Sequence, residues 1–79
     1  MEELRMLTQE ELAELLHSHV MHVSMLRELG VIPAIKTGRN YMFTQNDIRK
    51  FQNDYRGLDV SNKVKALESQ RIVKARLAG

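Results

Sequence analysis

Apolar residues near the start of the chain recur at helical spacing. Leu12, Leu15 and Leu16 fall on one face with Ala13 at its edge, and Thr8 followed by Glu11 makes a T-x-x-E capping box ahead of them. The pattern predicts a first helix over about 8–16. His17-Ser18-His19 interrupts it. A second helix is expected over about 20–29, with Val23, Leu26 and Gly30 on one side, Met21, Met25 and Glu28 on the other, and Gly30 closing it. Two short helices so close together have helix-turn-helix proportions.

After Gly30 the period changes. Val31 to Phe43 is rich in β-branched and aromatic residues on either side of Thr37-Gly38-Arg39-Asn40, which predicts a β-hairpin. Alternation lets Ile35, Tyr41 and Phe43 face the core while Lys36 and Met42 face out. Gly38 and Asn40 are suited to positive φ in the turn. Pro33 suits the first residue of an edge strand. Thr44, with Asp47 three residues on, caps a third helix that carries Ile48, Phe51 and Tyr55 as a stripe and stops at Gly57. Ser61 is expected to cap a fourth helix reaching about residue 77, docked through Val64, Leu67 and Val60. Ile72, Val73 and Leu77 have no assigned place. The fold class is mainly α with a small β-hairpin. Residues 1–57 form the main unit and 58–79 a basic C-terminal helix for docking, dimerisation or phosphate contact.

With 79 residues the chain holds one core of modest size. It has no cysteine, which excludes disulfides and thiolate metal sites. No apolar run approaches the roughly 20 residues that span a bilayer, and the acidic N-terminus lacks an apolar signal core. These features suit a cytoplasmic protein. The net charge of +2 conceals a division: residues 1–35 hold two Lys/Arg against six Asp/Glu, a net of −4, and residues 36–79 hold ten against four, a net of +6. A basic half points to an anionic partner.

The stretch LTQEELAELL…LRELGVIPAIKTGRNYMFTQNDIRKF, residues 6–52, resembles the excisionase or AlpA-like branch of the MerR-type winged helix-turn-helix proteins. The resemblance rests on Leu7-Thr8, the Glu11–Leu16 run, Gly30–Lys36, Gly38-Arg39, Phe43 and Asp47-Ile48 at their mutual spacing. It implies a small DNA-binding protein of a phage or mobile element, acting as a transcriptional regulator or an excisionase-type recombination factor. The second helix would enter the major groove and the hairpin wing would touch adjacent backbone or minor groove. By position, His19 to Met25 would read DNA and Lys36 and Arg39 would serve the wing. Val23, Leu26, Ile35, Tyr41, Phe43, Ile48 and Phe51 would form the core. The second helix differs from the family pattern in having no Arg or Lys before Arg27. Histidine can still hydrogen-bond bases or phosphates, and Met and Val can meet thymine methyls.

The candidate DNA-contacting residues are therefore His19, Val20, Met21, His22, Met25, Lys36, Arg39, Asn40, Lys63 and Lys65. Arg39, beside Gly38, suits a wing tip meeting phosphate or a narrow minor groove. His17, His19 and His22 lack accompanying ligands at a familiar metal spacing, and His17 suits a helix end. No nucleophile–base pair, phosphate-binding glycine loop or carboxylate pair stands out, so neither enzyme activity nor a cofactor is expected. Double-stranded DNA is the expected partner, with a homodimer, a cooperative array or a recombinase as further options. The alternative is a protein-interaction module that uses the Met21/Met25 face.

Overall fold

Thr8 ends one element and starts the next. In the computed structural model, which describes residues 4–78, β1 (Leu7–Thr8) runs directly into α1 (Gln9–Leu15). The Glu11 amide donates to the Thr8 hydroxyl at 3.0 Å, and the Thr8 amide donates to the Glu11 carboxylate at 2.9 Å. The capping box is thus closed in both directions, and α1 starts where its sequence dictates. Leu12 and Ala13 are buried, whereas Leu15, expected beside Leu12, is half exposed.

The turn after α1 is a Schellman motif without glycine. His17 takes φ 55°, its amide donates to Glu14 O at 3.1 Å, and the Ser18 amide donates to Ala13 O at 2.8 Å. α2 (Val20–Glu28) ends in the same motif, now with glycine. Gly30 has φ 77°, its amide donates to Arg27 O at 3.0 Å, and the Val31 amide donates to Leu26 O at 2.9 Å. Val23 and Leu26 are fully buried, as their phase requires.

Val31 and Ile32 plunge into the core. Pro33 lies exposed before β2 (Ile35–Thr37) and does not begin the strand. Only Gly38 takes a positive φ in the Gly38-Arg39 turn to β3 (Asn40–Phe43), the pattern of a type II′ hairpin. Asn40 is an ordinary strand residue. The sheet order is β1-β3-β2, antiparallel throughout, with Leu7 opposite Phe43. The two-residue strand β1 escaped the sequence reading because it is too short to alternate.

The register corrects one expectation. Ile35 pairs with Met42 and Lys36 with Tyr41. Directly opposed residues share a face, so Ile35 lies with Met42 and is 46% exposed, while Lys36 shares the face of Tyr41 and Phe43. A strand slipped by one residue exchanges its faces completely.

α3 (Gln45–Asp54) is capped by Thr44, whose hydroxyl accepts from the Asp47 amide at 3.0 Å. Ile48 and Phe51 are buried, and Tyr55 packs its ring 5.3 Å from that of Phe51. Gly57, at φ 81°, turns the chain past the end of α3. α4 (Lys63–Ala78) starts one residue later than its expected cap implies. Asn62 caps it, accepting from the Lys65 amide at 2.9 Å, while the Ser61 amide and hydroxyl both bond Asp59. Val60 packs against the core as expected, but the docked face of the helix itself differs. Ala66, Ser69, Gln70 and Val73 are buried, whereas Val64 is 65% exposed. Gln70 Nε2 donates to Leu29 O at 2.8 Å and Ser69 Oγ to Asp59 O at 2.6 Å, so this face is small and polar but fully bonded. The described residues thus form four helices and a three-stranded antiparallel sheet, in an order compatible with a helix-turn-helix followed by a hairpin. One core joins Leu12, Ala13, Val23, Leu26, Val31, Ile32, Phe43, Ile48, Phe51 and Ala66.

Candidate nucleic-acid interface

Burying Val23 and Leu26 aims the opposite edge of α2 at solvent. Met21 and Glu28 lie along that edge, Met21 being 83% exposed, with Ser24 half-buried beside them, and His19 and Val20 are exposed at the start of the helix. His19 is the N-cap of α2 but makes no side-chain capping bond, so the first amides of the helix face outward uncapped. His19, Val20 and Met21 are thus all exposed at the start of α2.

His22 and Met25 do not join them. His22 Nε2 lies 2.7 Å from Val60 O, and Nδ1 meets the Ser18 hydroxyl. A carbonyl only accepts, so Nε2 carries the proton and Nδ1 accepts from Ser18. Both ring nitrogens are used inside the chain, tying the α1–α2 turn to the segment before α4. Met25 is half-buried and packs against the core. With Glu28, Leu29 and Lys63 it lines a shallow hollow where α4 begins. The cause in both cases is the C-terminal segment, which covers this flank of α2.

The other flank of α2 meets the hairpin. The Arg27 guanidinium carbon stands 3.7 Å from the centre of the Tyr41 ring, and Lys36 Nζ stands 5.9 Å from the same centre. Arg27 Nε donates to Gln9 Oε1 at 3.0 Å, and Ser24 Oγ approaches the same oxygen at 3.4 Å. Arg39 and Asn40 are exposed at the hairpin tip, over a hollow shared with Thr8, Gln9, Glu10 and Tyr41. Lys36 and Arg39 thus lie on one side of α2 and Lys63 on the other. Lys65 is exposed, and its charge helps hold the Asp59 carboxyl below its ordinary value.

Two acids, Glu11 and Asp59, are held below their ordinary values by hydrogen bonds. The Thr8 amide holds the Glu11 carboxyl below its ordinary value, helped by Arg5, which pairs with it. The Ser61 hydroxyl and amide do the same for Asp59. The described residues form two ion pairs, Arg5–Glu11 and Lys50–Asp54, and neither lies at α2 or the hairpin.

The sequence reading missed Gln9, Arg27 and Tyr41 as members of this surface. Arg27 was visible as the first cation of α2, but its stack on Tyr41 joins residues far apart in sequence. Among the described residues no three His, Cys, Asp or Glu converge to hold a metal, and no helix is long and apolar enough to cross a membrane. No family model, curated protein or solved structure matches the chain.

Proposed function

We propose that the chain is a DNA-binding protein built as a winged helix-turn-helix of the excisionase or AlpA-like kind. In this reading α2 enters the major groove and the β2–β3 hairpin lies on adjacent backbone or minor groove. The observation that carries it is the open edge of α2, set between Lys36 and Arg39 on one side and Lys63 on the other with no ion pair among them. His19, Val20, Met21 and Ser24 are the groove-facing residues. Met21 and Val20 offer methyl and thioether contact to thymine methyls, and Ser24 and His19 offer hydrogen bonds. His22 and Met25 support α2 from behind. One unit of this size covers under about 1,000 Å² of DNA, so single copies bind weakly and useful occupancy needs several. Regulation of transcription and assistance to a recombinase both rest on this contact.

The test is fluorescence anisotropy with random-sequence duplex in rising salt, followed by sequencing of DNA selected from a random pool. Binding that weakens linearly in log–log form with salt is expected. Absence of duplex binding at low salt overturns the proposal. It would favour a protein-interaction module, for which the 83% exposure of Met21 is the motivating observation. That surface is narrower than Met21 and Met25 together would make it, because Met25 is half-buried against the core.

A further inference from the structure

The Tyr41 ring holds two cations. Arg27 lies over it at 3.7 Å and Lys36 Nζ lies over it at 5.9 Å, so their charges are no further apart than those distances added, within the roughly 10 Å Debye length at 0.1 M salt. Neither makes an ion pair among the described residues. Like charges this close repel, and no ion pair among the described residues offsets either of them.

The ways in which Arg27 is held also limit what it can bind. Its Nε is taken by Gln9 Oε1 and its plane rests near the ring, which leaves the two terminal nitrogens as an oriented fork of donors. Ser24 Oγ donates to the same Gln9 oxygen. The half-buried Arg27 sits back from the outer edge of α2, where Met21 projects. A side chain set back in this way reaches the rim of a groove before its floor. The rim carries phosphate, and the groove floor carries bases.

We infer that Arg27 and Lys36, arranged around Tyr41 at the junction of α2 and the hairpin, form a seat for one phosphodiester group. The inference rests on the DNA reading above and makes it more specific. The Arg27 fork takes two phosphate oxygens and the Lys36 ammonium adds a point charge to the same group. Tyr41 and Gln9 are positioning residues that act through Arg27. The seat fixes the angle of the hairpin relative to α2 on the duplex and carries no sequence information.

The experiment measures affinity for one random-sequence duplex over a range of salt for the unaltered protein, Arg27→Ala, Lys36→Ala, the double variant and Tyr41→Leu. Circular dichroism confirms that each is folded, and the exposed Lys36 provides a variant whose folding is not at issue. A single shared phosphate predicts that the double variant loses about 0.9 in log–log slope, the contribution of one phosphate on B-DNA. Each single variant loses part of that, and Tyr41→Leu weakens binding severalfold while Tyr41→Phe restores it. A loss of roughly 1.8 in the double variant would mean two separate phosphates and would overturn the shared seat. So would an unchanged slope in a protein that still binds duplex. If the unaltered protein binds no duplex, the DNA reading falls first and the seat falls with it.

Discussion

The side-chain amide of Gln70 donates to the backbone carbonyl of Leu29, across 2.8 Å, between the middle of α4 and the end of α2. Leu29 is the C-cap of α2, and a helix end leaves such carbonyls without intrahelical partners. Gln70 is 8% exposed, so the bond is made where water reaches poorly. It explains why α4 docks through a face with little apolar area. Gln70→Ala should therefore cost about 1–2 kcal/mol, for the bond and the carbonyl left behind. Urea denaturation measures it. A loss within a few tenths of a kcal/mol would show that α4 is held by Ala66 and Val73 alone.

The flank of α2 beneath the C-terminal segment separates structural from surface residues. His22 bridges Ser18 and Val60 O, and Met25 packs against the core, whereas Met21 is 83% exposed. Met21→Ala should change stability by less than about 0.5 kcal/mol, as at ordinary surface sites. Met25→Ala should cost about 1–2 kcal/mol, below the roughly 2–5 of a fully buried methionine. His22→Ala should also destabilise, by about 1–2 kcal/mol for two lost hydrogen bonds, with little effect on which DNA sequence is selected. Equal losses for Met21 and Met25 would show that α2 is rotated from the orientation described.

Helix starts were legible in the sequence because their chemistry is local. Thr8 with Glu11 and Thr44 with Asp47 form caps three residues apart, and no distant contact is needed to read them. The docking of α4 was not legible. Val64 and Leu67 look like its core face, yet the helix buries Ala66, Ser69, Gln70 and Val73, because the partner surface is a helix end that needs a donor. The strand register was equally hidden: Ile35 looks like a core residue, but its pairing with Met42 turns it outward. The exposure of His19, Met21, Lys36 and Arg39 could be named in advance. The Arg27–Tyr41 stack could not, since nothing near either residue announces the other.

His17 stores local strain. It takes φ 55° at a helix end where glycine is usual, and a left-handed L-residue costs about 1–2 kcal/mol relative to its preferred backbone. Glycine removes that cost but loosens the unfolded chain by about 0.4–1 kcal/mol. His17→Gly should stabilise the protein by a few tenths to about 1 kcal/mol. Asn should stabilise it by less. A lower thermal midpoint for the glycine variant would show that the exposed imidazole has an unrecognised stabilising contact.

Acid should weaken the fold through Glu11 and Asp59. Both carboxyls lie below their ordinary values of 4.5 and 3.8, Glu11 chiefly through the Thr8 amide and Asp59 chiefly through the Ser61 hydroxyl. A depressed folded-state value means that the stabilisation is present above the unfolded value and disappears as pH falls through the folded one. The thermal midpoint should therefore be flat from neutrality to about pH 5 and decline below about pH 4. Glu11→Gln keeps an acceptor for the Thr8 amide without a titrating charge, so it should lower the plateau slightly and flatten the acid limb. An acid limb identical to that of the unaltered protein would remove Glu11 from the account.

The proposed DNA contact predicts different behaviour at the two edges of α2. Arg39 is exposed at the hairpin tip, without a hydrogen bond or ion pair among the described residues, and Lys63 is exposed on the opposite flank. Neither supports the core, so alanine at either should leave urea denaturation within about 0.5 kcal/mol of the unaltered protein. Lys63 can offer only a point charge to phosphate. Lys63→Ala should weaken binding equally on all duplexes and reduce the salt slope by about 0.9. Arg39 sits on a two-residue turn that can enter a minor groove, where narrow A·T tracts attract a guanidinium. Arg39→Ala should therefore weaken binding more on A·T-rich duplex than on G·C-rich duplex, by up to about 1–3 kcal/mol if a base edge is met. Arg39→Lys should recover the uniform part of the affinity and not the A·T preference, because a hydrated ammonium enters a narrow groove less readily than a guanidinium. If Arg39→Ala and Lys63→Ala both lower affinity uniformly, the hairpin tip touches only backbone. If neither lowers it in folded protein that still binds, α2 is not the element that meets DNA.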